Sequence, residues 1–97
     1  MNLKWHSEAR RELQELDEPI QEEVVGRVEQ LRDEPFGEDT SLLSKQGLEI
    51  FRLKLKTDRL DHRVFYDVRG DELVILGVIH RDDAYTQESV EKLKART

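Results

Sequence analysis

Seven consecutive residues, Leu73-Val74-Ile75-Leu76-Gly77-Val78-Ile79, carry no polar side chain. The run is too short to cross a bilayer and reads as a central strand covered on both faces. In a chain of 97 residues that puts one sheet at the centre of one domain spanning 1–97, with little stability to spare. The flanking patterns say what packs on it. Ser7 offers a helix N-cap with Glu8 in the first turn, and Ala9, Leu13 and Leu16 recur at helical spacing. Asp17-Glu18-Pro19 interrupts and restarts the helix, because proline is tolerated only in a first turn. Ile20, Val24, Val28 and Leu31 then mark a second apolar stripe ending near Glu34-Pro35. Residues 7–34 are therefore expected to form a helical hairpin with one apolar side.

Leu3 to His6 reads as a short first strand, and Phe36 to Gly47 as a polar loop. From Leu48 to Lys56 the period becomes two, with Phe51, Leu53 and Leu55 on one side and Arg52, Lys54 and Lys56 on the other. The next strand, His62 to Arg69, separates Val64, Tyr66 and Val68 from Arg63, Phe65 and Asp67, and Gly70-Asp71 is a hairpin turn. Gln87 to Ala95 is a polar helix anchored by Val90 and Leu93. The expectation is an α+β fold: a strand, two helices, a three-stranded antiparallel meander and a terminal helix. The apolar side of the meander should meet the hairpin, and its other side should display cations to solvent.

The chain has no cysteine, which excludes disulfides, thiolate metal sites and thiol nucleophiles. Its three histidines lack metal-ligand spacing, so no metal and no cofactor is expected. With no signal-like N-terminus and no membrane-length apolar run, a cytoplasmic protein without a membrane partner is expected. The net charge of −6 is uneven: residues 1–50 carry −7 and residues 51–97 carry +1, with +3 inside 51–66. Such acidity argues against a general nucleic-acid coat, although a local basic face can still hold an anion.

That basic face is the candidate site. Arg52, Lys54, Lys56 and Arg63 alternate onto one sheet surface, with His80 and Arg81 at the exit of the central strand and Tyr85 just beyond. Like charges on neighbouring strands repel unless something anionic meets them. Arginine supplies a planar fork for phosphate oxygens, lysine a compact charge, and histidine a proton carrier near neutral pH. Tyrosine stacks on unpaired bases. Together these groups could cleave RNA without metal, through attack of a 2′-hydroxyl on its own phosphate. Each has a structural explanation too. Alternating cations suit a solvated sheet face, Arg63 could pair with Asp61 or Asp67, His80 could simply end a strand, and Tyr85 could anchor the last helix. Trp5 and Tyr66 fit a core, and His6 and His62 fit structural positions.

The whole chain resembles the RelE/ParE superfamily of toxin–antitoxin toxins, on its RelE-like branch. Three stretches carry the likeness: Trp5-His6-Ser7-Glu8-Ala9 with Leu13 and Leu16; Ile50-Phe51-Arg52-Leu53-Lys54-Leu55 followed by His62-Arg63-Val64-Phe65-Tyr66; and Gly77-Val78-Ile79-His80-Arg81 followed by Tyr85. The resemblance implies a RelE-like, microbial-RNase-like fold. It also implies a ribosome-dependent messenger endoribonuclease, neutralised by a cognate RelB-like antitoxin in a hetero-oligomer. It assigns Arg63 and Arg81 to transition-state charge, Lys54 to activation of the 2′-hydroxyl, His80 to the acid and Tyr85 to stacking or orientation. Arg52 and Lys56 become RNA-binding residues. The ParE branch implies instead a DNA gyrase inhibitor without catalytic residues, and a third reading is an inactive relic that only binds antitoxin. RelE-type toxins are usually basic, and this chain departs from them in being acidic.

Overall fold

A computed structural model describes residues 1–55, 57 and 60–97. The seven-residue apolar run lies at the heart of β5 (Glu72–His80), and each of its seven residues except Gly77 joins one of two cores. Strands β1 (Asn2–Trp5), β2 (Thr40–Lys45), β3 (Leu48–Lys54) and β4 (His62–Arg69) complete a five-stranded sheet in the order β1-β5-β4-β3-β2. Only β1 runs parallel to its neighbour; the other four form an antiparallel meander. Leu73, Ile75 and Val78 face the hairpin helices α1 (Ser7–Gln14) and α2 (Glu18–Gln30), packing with Ala9, Leu13, Val24 and Val28. Val74, Leu76 and Ile79 face the opposite way, into a second core with Phe65, Ile50 and the fully buried Val90 and Leu93 of α4 (Gln87–Arg96).

That second core corrects the expected architecture. The far side of the sheet is not open, because Leu48, Ile50, Phe65, Val74 and Leu76 give it an apolar centre that α4 must cover. A β-bulge shifts the alternation of β5 partway along the strand. Phe65 pairs with Gly77 while Tyr66 pairs with Ile75, which leaves Leu76 as the extra residue and re-aims the side chains from Gly77 onward. Gly77 lies under α4: a Cβ there would stand 3.0 Å from Leu93 Cδ2 and 3.3 Å from Arg96 Nη1.

Local expectations shift in the same physical terms. The segment read as a loop, Phe36 to Gly47, contains β2, whose Ser and Thr residues mask the strand around Leu42 and the buried Leu43. Its turn to β3 places Gln46 at φ 52° and Gly47 at φ 84°, the two positive angles of a type I′ hairpin. His6, not Ser7, caps α1, its Nδ1 accepting the Glu8 N–H at 3.1 Å. α2 stops at Gln30 rather than near Glu34, and a short helix α3 (Arg81–Ala84) follows β5. Among the described residues no helix is long and apolar enough to cross a membrane.

Candidate functional site

β3 and β4 carry the site because the apolar core runs out toward one end of each. Along β3 the residues facing α4 are Leu48 and Ile50, both buried, then Arg52 and Lys54, both half-buried. On β4 Arg63 stands directly opposite Lys54, and Phe65 opposite Arg52. Two cations are thus held side by side in a ladder, an arrangement that costs free energy until an anion meets it. The Arg63 side chain is only 11% exposed. Its Nη1 donates to the His62 carbonyl at 3.2 Å, and its buried Nε has no hydrogen-bond partner among the described residues.

Arg52 is fixed from two sides. Nε donates to Ser41 Oγ at 2.7 Å, and Nη1 donates to the Tyr85 hydroxyl at 2.8 Å. The Tyr85 ring lies edge-on to Phe65, with centroids 6.2 Å apart, and its carbonyl accepts a hydrogen bond from Lys45 Nζ at 2.7 Å. Because the phenolic oxygen accepts from a guanidinium, the Tyr85 proton stays available to a ligand. Ser41 and Lys45 are invisible as site residues as long as β2 reads as a loop. The hairpin signal Gln46-Gly47 between Thr40-Ser41-Leu42-Leu43-Ser44-Lys45 and the β3 pattern is what points to them.

Arg81 begins α3 and reaches back to Asp61, just before β4. Its Nε lies 3.2 Å from Asp61 Oδ2 and its backbone N–H donates to the Asp61 carbonyl at 2.7 Å. Asp61 also holds Arg63, with Oδ1 3.8 Å from Nη1. Asp67, the other carboxylate within sequence reach of Arg63, pairs with Arg69 instead.

His80 stands apart from this group. Strand alternation puts it with Val78 on the side of the hairpin helices, where its ring meets that of His62 edge-on at 5.2 Å. Its Nδ1 accepts the Asp82 N–H at 3.1 Å and so caps α3. With Nδ1 accepting, the neutral ring carries its proton on Nε2. Burial lowers the His62 pKa, the nearby His80 lowers it further, and Asp61 opposes both. The structure therefore gathers Arg52, Lys54, Arg63 and Tyr85 on the face of α4, sets Arg81 at their margin through Asp61, and turns His80 away. Lys56, the remaining expected RNA contact, lies outside the described residues. No cluster of three or more His, Asp or Glu side chains suited to a metal ion occurs among the described residues.

The fold has relatives among solved structures. The toxin–antitoxin complex RelBE2 of Mycobacterium tuberculosis contains a chain that is 26% identical, with a TM-score of 0.70, covering 82% of this chain and 96% of that one. In the archaeal RelE–RelB complex of Pyrococcus horikoshii a chain is also 26% identical, with a TM-score of 0.67 and coverage of 82% and 93%. The isolated RelE toxin of Escherichia coli shares the fold at a TM-score of 0.67 and 16% identity, covering 99% of this chain and 98% of its own. No curated protein matches the sequence. The family model for the ParE toxin of type II toxin–antitoxin systems matches residues 3–85, nearly the whole domain. The chain belongs to that family, and with it to the RelE/ParE superfamily of toxins that its sequence resembles.

Proposed function

We propose that this toxin is a ribosome-dependent, metal-independent messenger endoribonuclease, and that a RelB-like antitoxin neutralises it as a hetero-oligomer. The observation that carries the reading is the direct pairing of Lys54 with Arg63, beside an Arg52 that orients the Tyr85 hydroxyl. A phosphodiester fits there because it can supply an anion to Lys54 and share or take over Arg63, whose present carboxylate, Asp61, stands 3.8 Å away. The 2′-oxygen attacks the adjacent phosphorus as its proton passes to solvent water, the P–O5′ bond breaks as the leaving oxygen takes up a proton, and the products are a 2′,3′-cyclic phosphate and a 5′-hydroxyl end. Lys54 stabilises the developing 2′-oxyanion. Arg63 and Arg81 neutralise the phosphorane, the kind of preorganised charge that is worth roughly 10²–10³ in rate per donor. Tyr85, whose proton remains free while Arg52 holds its oxygen, is better oriented than His80 to protonate the leaving oxygen. The antitoxin partner is supported by the RelE–RelB assemblies among the structural relatives.

A second reading, inhibition of DNA gyrase without catalysis, is favoured by the ParE description of the matching family. One pair of assays separates the two. Translating ribosomes are incubated with the wild type and with Arg63→Ala, the messenger is mapped by primer extension, and gyrase supercoiling is measured in parallel. Cleavage by the wild type that falls roughly 10²–10³-fold in Arg63→Ala supports the nuclease. Intact messenger together with trapped, cleaved DNA that survives Arg63→Ala establishes the gyrase reading in its place.

A further inference from the structure

Asp61 is the one carboxylate that touches both site-margin arginines among the described residues: Oδ1 is 3.8 Å from Arg63 Nη1 and Oδ2 is 3.2 Å from Arg81 Nε. We propose that Asp61 is the resident anion of the site, a carboxylate that stands between the two guanidinium groups in the free toxin and that an RNA phosphate must displace. The proposal rests on reading this end of the sheet as phosphate-binding and adds the residue that sets how tightly phosphate is taken.

Three features support displacement over a fixed structural pair. Both partners of the Asp61–Arg81 contact are exposed, at 45% and 56%, so water can exchange with it. The backbone positions of the arginines do not depend on the carboxylate. Arg63 is almost buried and donates to the His62 carbonyl, and Arg81 is tied to Asp61 through backbone atoms that a side-chain change leaves in place. Finally, Arg63 keeps a buried Nε without a partner among the described residues, so its hydrogen-bonding capacity is not exhausted by Asp61. Two other charges border the pair. Asp82 Oδ1 lies 3.9 Å from Arg81 Nε, and Lys54 faces Arg63 across the ladder.

Asp61→Asn removes the competing charge while keeping shape and backbone. The probe is a short 2′-O-methyl oligoribonucleotide, which binds but cannot be cut, followed by fluorescence anisotropy at low and at high salt. Binding should tighten roughly two- to tenfold at low salt, the range set by exposed ion pairs, and the gain should shrink as salt screens it. Asp61→Glu should bind like the wild type, Asp82→Asn should gain less than Asp61→Asn, and circular dichroism should show every variant folded at the assay temperature. Equal or weaker binding by Asp61→Asn, or no binding by either protein, overturns the proposal. Messenger cleavage by the wild type in that case leaves the nuclease reading intact. Conversely, a tighter Asp61→Asn in a toxin that spares messenger supports the resident anion and defeats only the nuclease.

Discussion

Glu12→Ala should be among the most damaging single changes in the protein, although Glu12 lies on an amphipathic helix whose outward positions read as solvated. β1 ends at Trp5, opposite Ile75, so the edge of β5 beyond that point has no strand beside it among the described residues. Glu12 and Arg96 occupy the gap. Glu12 Oε1 accepts the Val78 N–H at 3.0 Å, and Arg96 Nη1 donates to the Leu76 carbonyl at 2.9 Å. The two side chains bond each other through Nη1 at 2.9 Å and Nη2 at 3.1 Å, so together they complete the hydrogen bonding of the bulge and join α1 to α4. The Arg96 side chain is 8% exposed and that of Glu12 22%. Removing one partner of a buried pair costs about 3–5 kcal/mol, because the other charge stays buried and unpaired. Water reaches part of Glu12, so the lower end, about 3 kcal/mol, applies here. That is a large part of the roughly 5–15 kcal/mol that holds an ordinary domain together, and for a domain this size it lowers the melting midpoint by roughly 10–25 °C. Urea denaturation of Glu12→Ala, Arg96→Ala and the double variant measures it. The double variant should lose about 2 kcal/mol less than the sum of the single ones. A loss under about 1 kcal/mol in Glu12→Ala, or strict additivity, refutes the reasoning from burial.

The histidine pair predicts a pH dependence. With the His62 pKa lowered by burial and by His80 below its ordinary value of about 6.5, the unfolded chain binds a proton that the folded chain refuses. Stability should be flat above about pH 6.5 and fall as the pH drops below it, and His62→Gln should remove part of that fall in denaturation curves at about pH 7 and about pH 5. The β2–β3 turn holds Gln46 at φ 52° ahead of Gly47, and Asn-Gly is the sequence this turn prefers. Gln46→Asn should therefore stabilise by about 0.5 kcal/mol, read as a higher urea midpoint with unchanged slope; a lower midpoint contradicts the turn assignment.

The elements that announce themselves in the sequence are those whose burial is one-sided or complete. β4 shows its alternation from His62 to Arg69, β5 shows its unbroken apolar run, and α4 shows Val90 and Leu93 as its only anchors. What the pattern hides is which face an anchor meets. Val90 and Leu93 are too few to advertise a second core. Its members Leu48, Ile50 and Phe65 sit on the same strand faces as Arg52, Lys54 and Arg63, so a face that turns from apolar to basic along its length reads as wholly basic. β2 is lost for a related reason: in Thr40–Lys45 the hydroxyl side chains suppress the contrast on which a period-two reading depends. The pairing of Lys54 with Arg63 is within reach of the sequence because two adjacent strands in register produce it. The departure of His80 is not, because the bulge at Leu76 inserts one residue and changes the face of every later residue in β5.

The acidity of the chain also resolves into geometry. Residues 7–34 hold ten acidic and four basic side chains, a balance of −6 that equals the charge of the entire chain, so everything outside the hairpin is neutral in sum. The hairpin packs on the sheet face opposite the one that carries Arg52, Lys54 and Arg63. The molecule measures 24 Å along its shortest axis, about three Debye lengths at physiological salt, so the two sides act on a ligand almost independently. Converting Glu15 and Glu22, both on the hairpin, to lysine moves the net charge by about four units. It should nevertheless alter oligoribonucleotide affinity at about 0.15 M salt by less than about threefold. Lys54→Glu moves the charge by only about two units and should weaken the same binding by more than about tenfold, because it reverses a charge at the proposed phosphate site. If the hairpin variant instead gains affinity as strongly as Lys54→Glu loses it, net charge governs this toxin's encounter with RNA and the sidedness of its sheet does not.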